Sequence, residues 1–181
     1  MGQGASKKRT ASLREFRDCL VTSHKTEGSV ASVFEADSGG ALGSGHLGAC
    51  ISVRSLTPLT KGGAFPRYAM KKVKPREMSE EMLEEMQNEI DMLKSVRHPN
   101  IVRMYETWED PDGLYIVLEL CAGGTLVKYR PASLSSSTTW SEPEAARILA
   151  RILGAVSYLH VSCGLAHRDL KVLTYLRELT Y

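Results

Sequence analysis

The spacing of apolar residues along the chain predicts a strand-rich first part and a helical second part. Alternating or short apolar runs predict four strands, which cover residues 50–53, 68–73, 101–108 and 114–120. Apolar residues that share one face predict a helix over residues 77–96, and a second helix opens at the Ser-x-x-Glu capping box of Ser141 and runs to about Val161. Neighbouring strands with the helices kept apart favour an α+β fold rather than alternating α/β.

Polar and glycine-rich segments separate these elements. Residues 1–30 are rich in Ser, Thr, Lys and Arg, and we expect them to form a mobile leader. Glycines dominate residues 39–48, proline and glycine interrupt residues 54–66, and residues 131–141 are of low complexity, so all three stretches are predicted loops. The second helix is apolar over most of its circumference, a pattern typical of helices buried on several sides, and the residues that follow are too few to cover it.

Composition narrows the class of protein. The chain has 181 residues, of which 43% are hydrophobic and 24% charged, as expected for a globular rather than a disordered protein. No apolar run reaches the ~18 residues of a membrane span, and a net charge of +2 does not favour a nucleic-acid partner. The four cysteines show no CxxC spacing, which argues against a zinc site or a disulfide framework and favours a reducing, cytoplasmic compartment.

A glycine motif of the form G-x-G-x-x-G is made by Gly43, Gly45 and Gly48. A dinucleotide site would need a helix directly after the glycines, whereas the apolar pattern predicts a strand there. A P-loop would need a Gly-Lys-Ser/Thr ending, which the motif lacks. Taken alone, the motif is as compatible with a flexible loop as with a phosphate site.

One carboxylate of the first predicted helix lies where an apolar side chain is expected. Glu89 falls between Met78 and Met82 on the helical wheel, and a buried charge needs a cationic partner. Lys71, at the end of an apolar strand, is the candidate partner, and we expect the two side chains to approach within salt-bridge distance. The alternative is that Glu89 lies at the boundary of the apolar face and reaches water.

A third feature, His167-Arg168-Asp169-Leu170-Lys171, follows the second predicted helix. A carboxylate with a lysine nearby suits acceptance of a proton from a hydroxyl beside a phosphate in transfer. By itself such a segment is usually an ordinary polar loop, so its position after the other two features gives it weight.

Together, a glycine-rich loop, a strand lysine, a helix glutamate and a His-Arg-Asp-Leu-Lys segment, in this order, resemble the first half of a eukaryotic protein kinase domain over about residues 33–171. Lys171, two residues after the Asp, resembles serine/threonine kinases. The sequence as a whole is similar to the calcium/calmodulin-dependent and calcium-dependent protein kinase group. The resemblance implies a kinase N-lobe, with an antiparallel sheet and one helix, followed by an incomplete helical C-lobe.

The resemblance implies a role for each matching residue. The residues implied to form the nucleotide site are Leu42, Gly43, Gly45, Gly48, Cys50, Ala69, Lys71, Glu89, Leu118, Glu119 and Cys121. By resemblance, the glycines cover the phosphates of ATP, Lys71 holds the α- and β-phosphates, Leu118 is the gatekeeper and residues 119–121 bind adenine. Asp169 would accept the proton of a Ser or Thr hydroxyl of a protein substrate, and Lys171 would lie near the γ-phosphate.

The chain also departs from the family pattern. Cys50 replaces the valine after the third glycine, Thr125 replaces a glutamate that many relatives have near the ribose, and Thr174 replaces the asparagine that holds Mg²⁺. No Asp-Phe-Gly or Ala-Pro-Glu follows, so both protein ligands of the expected Mg²⁺ ion are missing. We therefore expect a kinase truncated after Lys171 and inactive as this chain. The alternative is a non-catalytic, membrane-anchored, pseudokinase-like binding module.

The expected organisation has four parts. They are the leader over residues 1–30, the N-lobe over 31–120, the start of the C-lobe over 121–171 and an atypical tail over 172–181. The tail shares no motif with kinases, and both a gene-model artefact and a genuine short isoform stay open as its origin.

The first residues, Met1–Ser6, match the pattern M-G-x-x-x-[ST], which predicts a myristoyl group on Gly2. Lys7, Lys8 and Arg9 would add attraction to anionic lipid, and one acyl chain needs such a second signal to hold a protein on a membrane. The pattern predicts peripheral membrane contact through the N-terminus, and a chance match in a polar leader is the alternative.

Overall fold

The computed structural model describes residues 29–45, 48–58, 63–123, 126 and 140–166. Its strands are β1 (Phe34–Gly45), β2 (Gly48–Ser55), β3 (Arg67–Val73), β4 (Met104–Asp110) and β5 (Gly113–Glu119). Its α-helices are α1 (Glu80–Ser95) and α2 (Glu142–Ser157), and short 3₁₀ turns cover Val30–Ser32 and Pro75–Glu77. A π-helical turn, Tyr158–Ser162, continues α2. The predicted α+β class is confirmed.

The strands form a five-stranded sheet in the order β1-β2-β3-β5-β4. β1 pairs antiparallel with β2, β2 with β3, and β4 with β5. The four strands and two helices predicted from apolar spacing are confirmed, with ends displaced by a few residues.

The first strand, β1, is not predicted by the apolar pattern, and the glycine-rich stretch predicted as a loop lies largely within it. Its pairing with β2 shifts in register between Ala36 and Ala41 and again between Ala41 and Gly43. Strand pairing uses backbone N–H and C=O groups, which glycine supplies as other residues do, whereas glycine adds nothing to an apolar alternation. The predicted loop over residues 39–48 is therefore wrong up to Gly45 and at Gly48.

Two apolar clusters pack on opposite faces of the sheet, because successive side chains of a strand point to opposite sides. The cluster that joins α1 to the sheet comprises Val73, Leu83, Met86, Ile90, Met104, Leu114 and Ile116. The cluster on the other face comprises Val30, Phe34, Val53, Met70, Trp108, Tyr115 and Val117. In this second cluster the Phe34 ring meets Tyr68 and Trp108 edge to face, at 5.9 Å between centroids in each pair.

Val30, the last residue of the predicted mobile leader, is buried in the second cluster. The Ser29 hydroxyl caps the 3₁₀ turn by accepting the Ala31 backbone N–H at 3.3 Å. Ser29 and Val30 are therefore part of the folded first unit, and their assignment to the mobile leader is wrong.

The chain divides into two compact units, and each is described by itself. The first contains residues up to Lys94 together with Met104–Leu118, and the second contains Ser95–Arg103 together with the residues from Glu119 onward. The first unit holds the sheet, up to Leu118 of β5, and α1, and the second holds α2.

In the second unit, the segment Ser95–Arg103 is bound to α2 and to the turn that follows it. The Tyr158 hydroxyl accepts the Arg97 backbone N–H at 3.1 Å, and the Tyr158 ring stacks on His98 with 5.1 Å between centroids. The Asn100 side-chain amide donates to the Arg151 carbonyl at 3.4 Å. One face of α2 is covered in this way.

The second helix begins as the sequence predicts. The Ser141 hydroxyl accepts the Glu144 N–H at 3.4 Å and the Glu144 carboxylate accepts the Ser141 N–H at 3.2 Å, which completes the capping box. The buried residues of α2 and its π-helical turn are Ile148, Ala155 and Leu159. Leu149 and Leu153 are 54% and 56% exposed. Among the helices that the structure describes, none is both long and apolar enough to cross a bilayer.

Candidate functional site

An ion pair between β3 and α1 is the centre of the candidate site. The Lys71 Nζ lies 3.0 Å from Glu89 Oε1 and 3.3 Å from Oε2. The Lys71 side chain is 17% exposed and that of Glu89 is 36% exposed. The predicted approach of these two side chains within salt-bridge distance is confirmed.

The two partners are placed by the periodicity of their elements. Alternation along β3 puts Lys71 on the same face as Val73, which packs against α1. On α1, Glu89 lies beside Ile90, which is fully buried, and three residues from Met86. Glu89 therefore sits at the rim of the apolar face, where it has the cationic partner that a buried charge needs and also reaches water. Both alternatives drawn from the sequence hold in part.

A row of neighbouring residues crosses three strands at the level of Lys71. Gly43 of β1 is the register partner of Cys50 on β2, and Cys50 is the partner of Lys71 on β3. Ala69, the partner of Ser52, lies in the next row and is buried. Directly opposed residues of paired strands share a face of the sheet, so the first glycine, the cysteine and the lysine of the predicted nucleotide site are brought together.

The Cys50 thiol is half-buried beside Lys71. Desolvation raises the pKa of this thiol, and the positive charge of Lys71 opposes the rise without cancelling it. The side chain is therefore a neutral, polarisable wall at neutral pH rather than a reactive thiolate.

The third glycine of the motif has a steric role in the β1–β2 hairpin. Gly48 has φ +133°, and a Cβ at this position would lie 2.2 Å from the Lys72 carbonyl oxygen. No side chain fits there, because real Cβ atoms essentially never come that close to another heavy atom. Gly43 and Gly45 lie in β1 and Gly48 opens β2, so the glycine motif forms the end of a hairpin.

The sequence reasoning missed a polar network on the same face. The Asp37 Oδ2 accepts hydrogen bonds from Arg67 Nε at 3.0 Å and Nη2 at 2.7 Å, and also from the buried Ser52 hydroxyl. These contacts, with that from Ser52 first, hold the pKa of Asp37 below its usual value. The sequence signal for this network is the carboxylate of Asp37. It was missed because Asp37 lies on β1, a strand that apolar spacing does not predict.

Three further predicted residues lie at or just after the end of β5. Leu118 packs against the cluster that joins α1 to the sheet. In the second unit, the Glu119 N–H donates to the Arg103 carbonyl at 2.8 Å, and the Arg103 N–H donates to the Glu119 carboxylate at 3.2 Å. Cys121 is half-buried. Leu42, the remaining predicted residue of the nucleotide site, lies in β1 and is half-buried.

Several predicted residues lie outside the part of the chain that the structure describes. They are Gly2, Thr125, Asp169, Lys171 and Thr174. Their proposed roles stay predictions. Within the described residues, no group of three or more His, Cys, Asp or Glu side chains is arranged to hold a metal ion.

The arrangement at Lys71 suits an anion. A lysine ammonium has three N–H donors, and the contacts to the two Glu89 oxygens leave capacity for a further acceptor. The backbone of the glycine hairpin lies in the same part of the sheet, and backbone N–H groups are strong donors to phosphate oxygens. The described residues therefore fit a phosphorylated ligand placed over Lys71.

Comparison with known proteins is consistent with this geometry. A model of the protein kinase domain matches residues 37–174. The chain is 32% identical over 173 residues to CDPK-related kinase 1 of Arabidopsis thaliana, an alignment that covers 93% of this chain and 28% of the relative. It is 33% identical over 165 residues to calcium/calmodulin-dependent protein kinase type 1 of Caenorhabditis briggsae, covering 90% of this chain and 37% of the relative.

A shorter alignment with a higher identity links the chain to calcium/calmodulin-dependent protein kinase type 1B of Homo sapiens. The identity is 41% over 86 residues, which are 48% of this chain and 24% of that relative. The chain thus spans well under half the length of the curated relatives that it matches.

Proposed function

The chain belongs to the protein kinase domain family, and from this premise we propose that it binds ATP as the first part of a serine/threonine protein kinase of the calcium/calmodulin-dependent and calcium-dependent group. The observation that supports the proposal is the Lys71–Glu89 ion pair, at 3.0 Å, on the sheet face that also holds Cys50 and Ala69. A cation held in place by a carboxylate, next to a glycine hairpin, is the arrangement that phosphate binding needs.

Each described residue has a distinct task in this proposal. Lys71 donates to the α- and β-phosphates, and Glu89 fixes the direction of the ammonium group. The backbone N–H groups of Gly43, Gly45 and Gly48, which carry no side chains, bind the phosphates, and Cys50 and Ala69 form the apolar wall against the adenine base. Glu89 is a positioning residue, since it acts through Lys71.

The chemical step is assigned to residues of the His-Arg-Asp-Leu-Lys segment. In the step that the family resemblance implies, Asp169 would accept the proton of a Ser or Thr hydroxyl of a protein substrate as the hydroxyl oxygen attacks the γ-phosphorus. The bond from the γ-phosphorus to the β-phosphate oxygen would break and release ADP, and Lys171 would neutralise charge on the transferred group. A bound Mg²⁺ ion supplies charge neutralisation at the phosphates when it is present. Thr174 stands at the place of the asparagine that holds this ion in the family, and for this reason we propose that the chain binds ATP without transferring its phosphate.

Paired lysine substitutions test the proposal. Lys71→Met is expected to abolish most of the rise in melting temperature that saturating ATP produces. Lys72→Met is the matched control, because the neighbouring side chain points to the opposite face, where its Nζ lies 5.3 Å from the Tyr115 ring centroid. The ATP-free melting temperature of Lys71→Met should stay close to that of the wild type, because a part-exposed ion pair contributes little stability.

Equal ATP-induced shifts in wild type and Lys71→Met would contradict the proposal. Transfer of ³²P from ATP to a basic peptide by the wild-type chain would contradict its second part, since it would show that the chain is catalytically complete.

A second proposal concerns localisation. We propose that Gly2 is myristoylated and that the basic residues Lys7, Lys8 and Arg9 strengthen contact with anionic membranes from the cytoplasmic side, by about 1 kcal/mol for each charge near the surface. This is the feature that would make the chain a membrane-anchored binding module. Co-expression with an N-myristoyltransferase should add the mass of myristate to the N-terminal peptide. If wild type and Gly2→Ala fractionate alike between membrane and cytosol, the anchor does not operate.

A further inference from the structure

The glycine-rich strand β1 carries little of the information that normally fixes the register of a strand. It lies at one edge of the described sheet, where it pairs with β2. Register is strongly specified where alternate side chains are buried and weakly specified in glycine-rich strands. Among the residues of β1 whose burial the structure describes, Phe34 is the buried one, and it lies at the start of the strand, far from the glycine motif. The position of the glycines must therefore depend on another contact.

The pairing of β1 with β2 also contains a bulge between Phe34 and the glycine motif. Over the five residues from Ala36 to Ala41, the partner positions on β2 advance by only two, from 53 to 51. Five less two leaves three residues of β1 in excess at this point. A bulge can take up or release a residue while Phe34 stays in place. The packing of Phe34 therefore does not by itself fix the register of the glycines.

A group of polar side chains lies at the start of this bulge. The Asp37 Oδ2 accepts hydrogen bonds from the Ser52 hydroxyl and from Arg67 Nε at 3.0 Å and Nη2 at 2.7 Å. Ser52 lies on β2 and is 4% exposed, and Arg67 lies on β3. The carboxylate of the edge strand is thus bound to both of the next two strands. We call these three residues the Asp37 clamp.

The Asp37 clamp determines which residues form the bulge. When the register of the preceding pair is continued by one residue on each strand, Asp37 comes opposite Ser52, and a hydrogen bond joins these two side chains. Asp37 therefore keeps the register of the first part of β1, and the three excess residues are 38–40. Pairing resumes after them and brings Gly43 opposite Cys50.

We propose that the Asp37 clamp holds β1 in the register that places Gly43 in one row with Lys71, and that it thereby positions the glycine motif at the proposed phosphate site. A slip of one residue would bring Leu42 or Ser44 into this row, and a side chain would then take the space that glycine leaves open. The inference rests on the proposed nucleotide site and adds the residues that position its glycines. The members of the clamp are positioning residues, since they act through the backbone of β1.

The alkylation rate of Cys50 measures the register without any ligand. Cys50 is half-buried and is the register partner of Gly43, so a displaced β1 should expose its thiol. Asp37→Asn and Ser52→Ala should each raise the rate at which iodoacetamide modifies Cys50 several-fold, as followed by mass spectrometry of the peptide that contains it. Ser52→Ala changes no charge, so a faster rate in this variant cannot arise from an altered charge near the thiol.

Glu35→Gln is the matched control for both clamp variants. Glu35 forms an ion pair with Arg54 at 2.6 Å between the same two strands, but it precedes the clamp and the bulge. Its loss should leave the alkylation rate of Cys50 unchanged, with all rates measured well below the melting temperatures of the proteins compared. Equal rates in the wild type and all three variants, or a rise in Glu35→Gln as large as in the clamp variants, would overturn the proposal.

Addition of ATP separates this proposal from that of the nucleotide site. ATP should slow the alkylation of Cys50 in the wild type, because Cys50 is proposed to line the adenine base. The ATP concentration for half protection should rise several-fold in Asp37→Asn and Ser52→Ala and stay unchanged in Glu35→Gln. An unchanged value in the clamp variants would overturn the positioning role. If ATP does not protect Cys50 in the wild type, the nucleotide proposal is wrong, and the rates without ATP still decide whether the clamp holds the register.

Discussion

Lys71 and Lys72 are adjacent residues whose side chains lie on opposite faces of the sheet. Strand alternation turns Lys71 toward α1, where it meets Glu89, and turns Lys72 to the other face, where it lies over the Tyr115 ring. The Lys71–Glu89 pair is partly exposed, and a part-exposed ion pair adds little to the free energy of unfolding. The role that we propose for the pair is therefore to position the ammonium group, and the matched substitutions at 71 and 72 test whether it affects ligand binding more than stability.

We expect Asp37 to make the stability of the first unit sensitive to acid. Its carboxylate is held by Ser52 and Arg67, and these contacts lower its pKa from the usual 3.8. A lowered pKa in the folded state adds stability that is fully present above the ordinary pKa and is lost as the pH falls through the lowered one. We therefore expect the wild type to lose stability relative to Asp37→Asn below about pH 4.

The measurement is the melting temperature of both proteins over a pH series from neutral to acid. Glu35→Gln is the control, because the Glu35–Arg54 pair is formed by side chains that are 58% and 50% exposed and should matter little. A gap between wild type and Asp37→Asn that stays constant with falling pH would contradict the role given to this carboxylate.

At the scale of elements, apolar periodicity predicts the helices and strands whose side chains pack in a core. It does not predict the elements that are defined mainly by backbone hydrogen bonds. α1 and β5 are predicted because residues such as Ile90 and Val117 are fully buried at regular spacing. β1 contains four glycines and escapes the pattern. The π-helical turn after α2 also escapes it, because the bond from the Cys163 N–H to the Tyr158 carbonyl adds one residue to a turn without changing the apolar composition.

The residues of the candidate site also divide into those that the sequence predicts and those that it does not. Lys71 and Glu89 are predictable, because a charge at an apolar position of a helix demands a partner of opposite sign. The network of Asp37, Ser52 and Arg67 is not, because its members come from three strands and one of those strands has no apolar signal. Long-range register, rather than local spacing, brings such residues together.

Two glycines in different elements should respond to alanine in opposite directions. Gly48→Ala places a Cβ against the Lys72 carbonyl in a conformation that alanine rarely adopts, and we expect it to cost at least about 1 kcal/mol of unfolding free energy. Gly154 lies in α2 with no atom within 4 Å of an added Cβ, so Gly154→Ala should stabilise by about 0.5–1 kcal/mol. Urea unfolding measures both, and a change of the same sign in the two variants would refute the steric account of the hairpin.

At the scale of the whole molecule, the proposed phosphate site and α2 belong to different units. The described residues that we propose to bind the phosphates or to position Lys71 are all in the first unit, and α2 is in the second. A ligand that binds only the folded state adds stability by mass action, roughly 2.7 kcal/mol at about 100 times its Kd. That gain should appear where the ligand makes its contacts.

We therefore predict that ATP slows amide hydrogen exchange in β1, β2, β3 and α1 and leaves exchange in α2 unchanged. The expectation for α2 follows from its described contacts. Arg151 of α2 binds Asn100, and Tyr158, which follows α2, contacts Arg97 and His98. None of these residues belongs to the proposed phosphate site. Lys71→Met should remove the protection in the first unit and serves as the internal control for specific binding. Protection that appears equally in α2, or that persists in Lys71→Met, would mean that ATP acts on this chain by a route other than the Lys71–Glu89 pair.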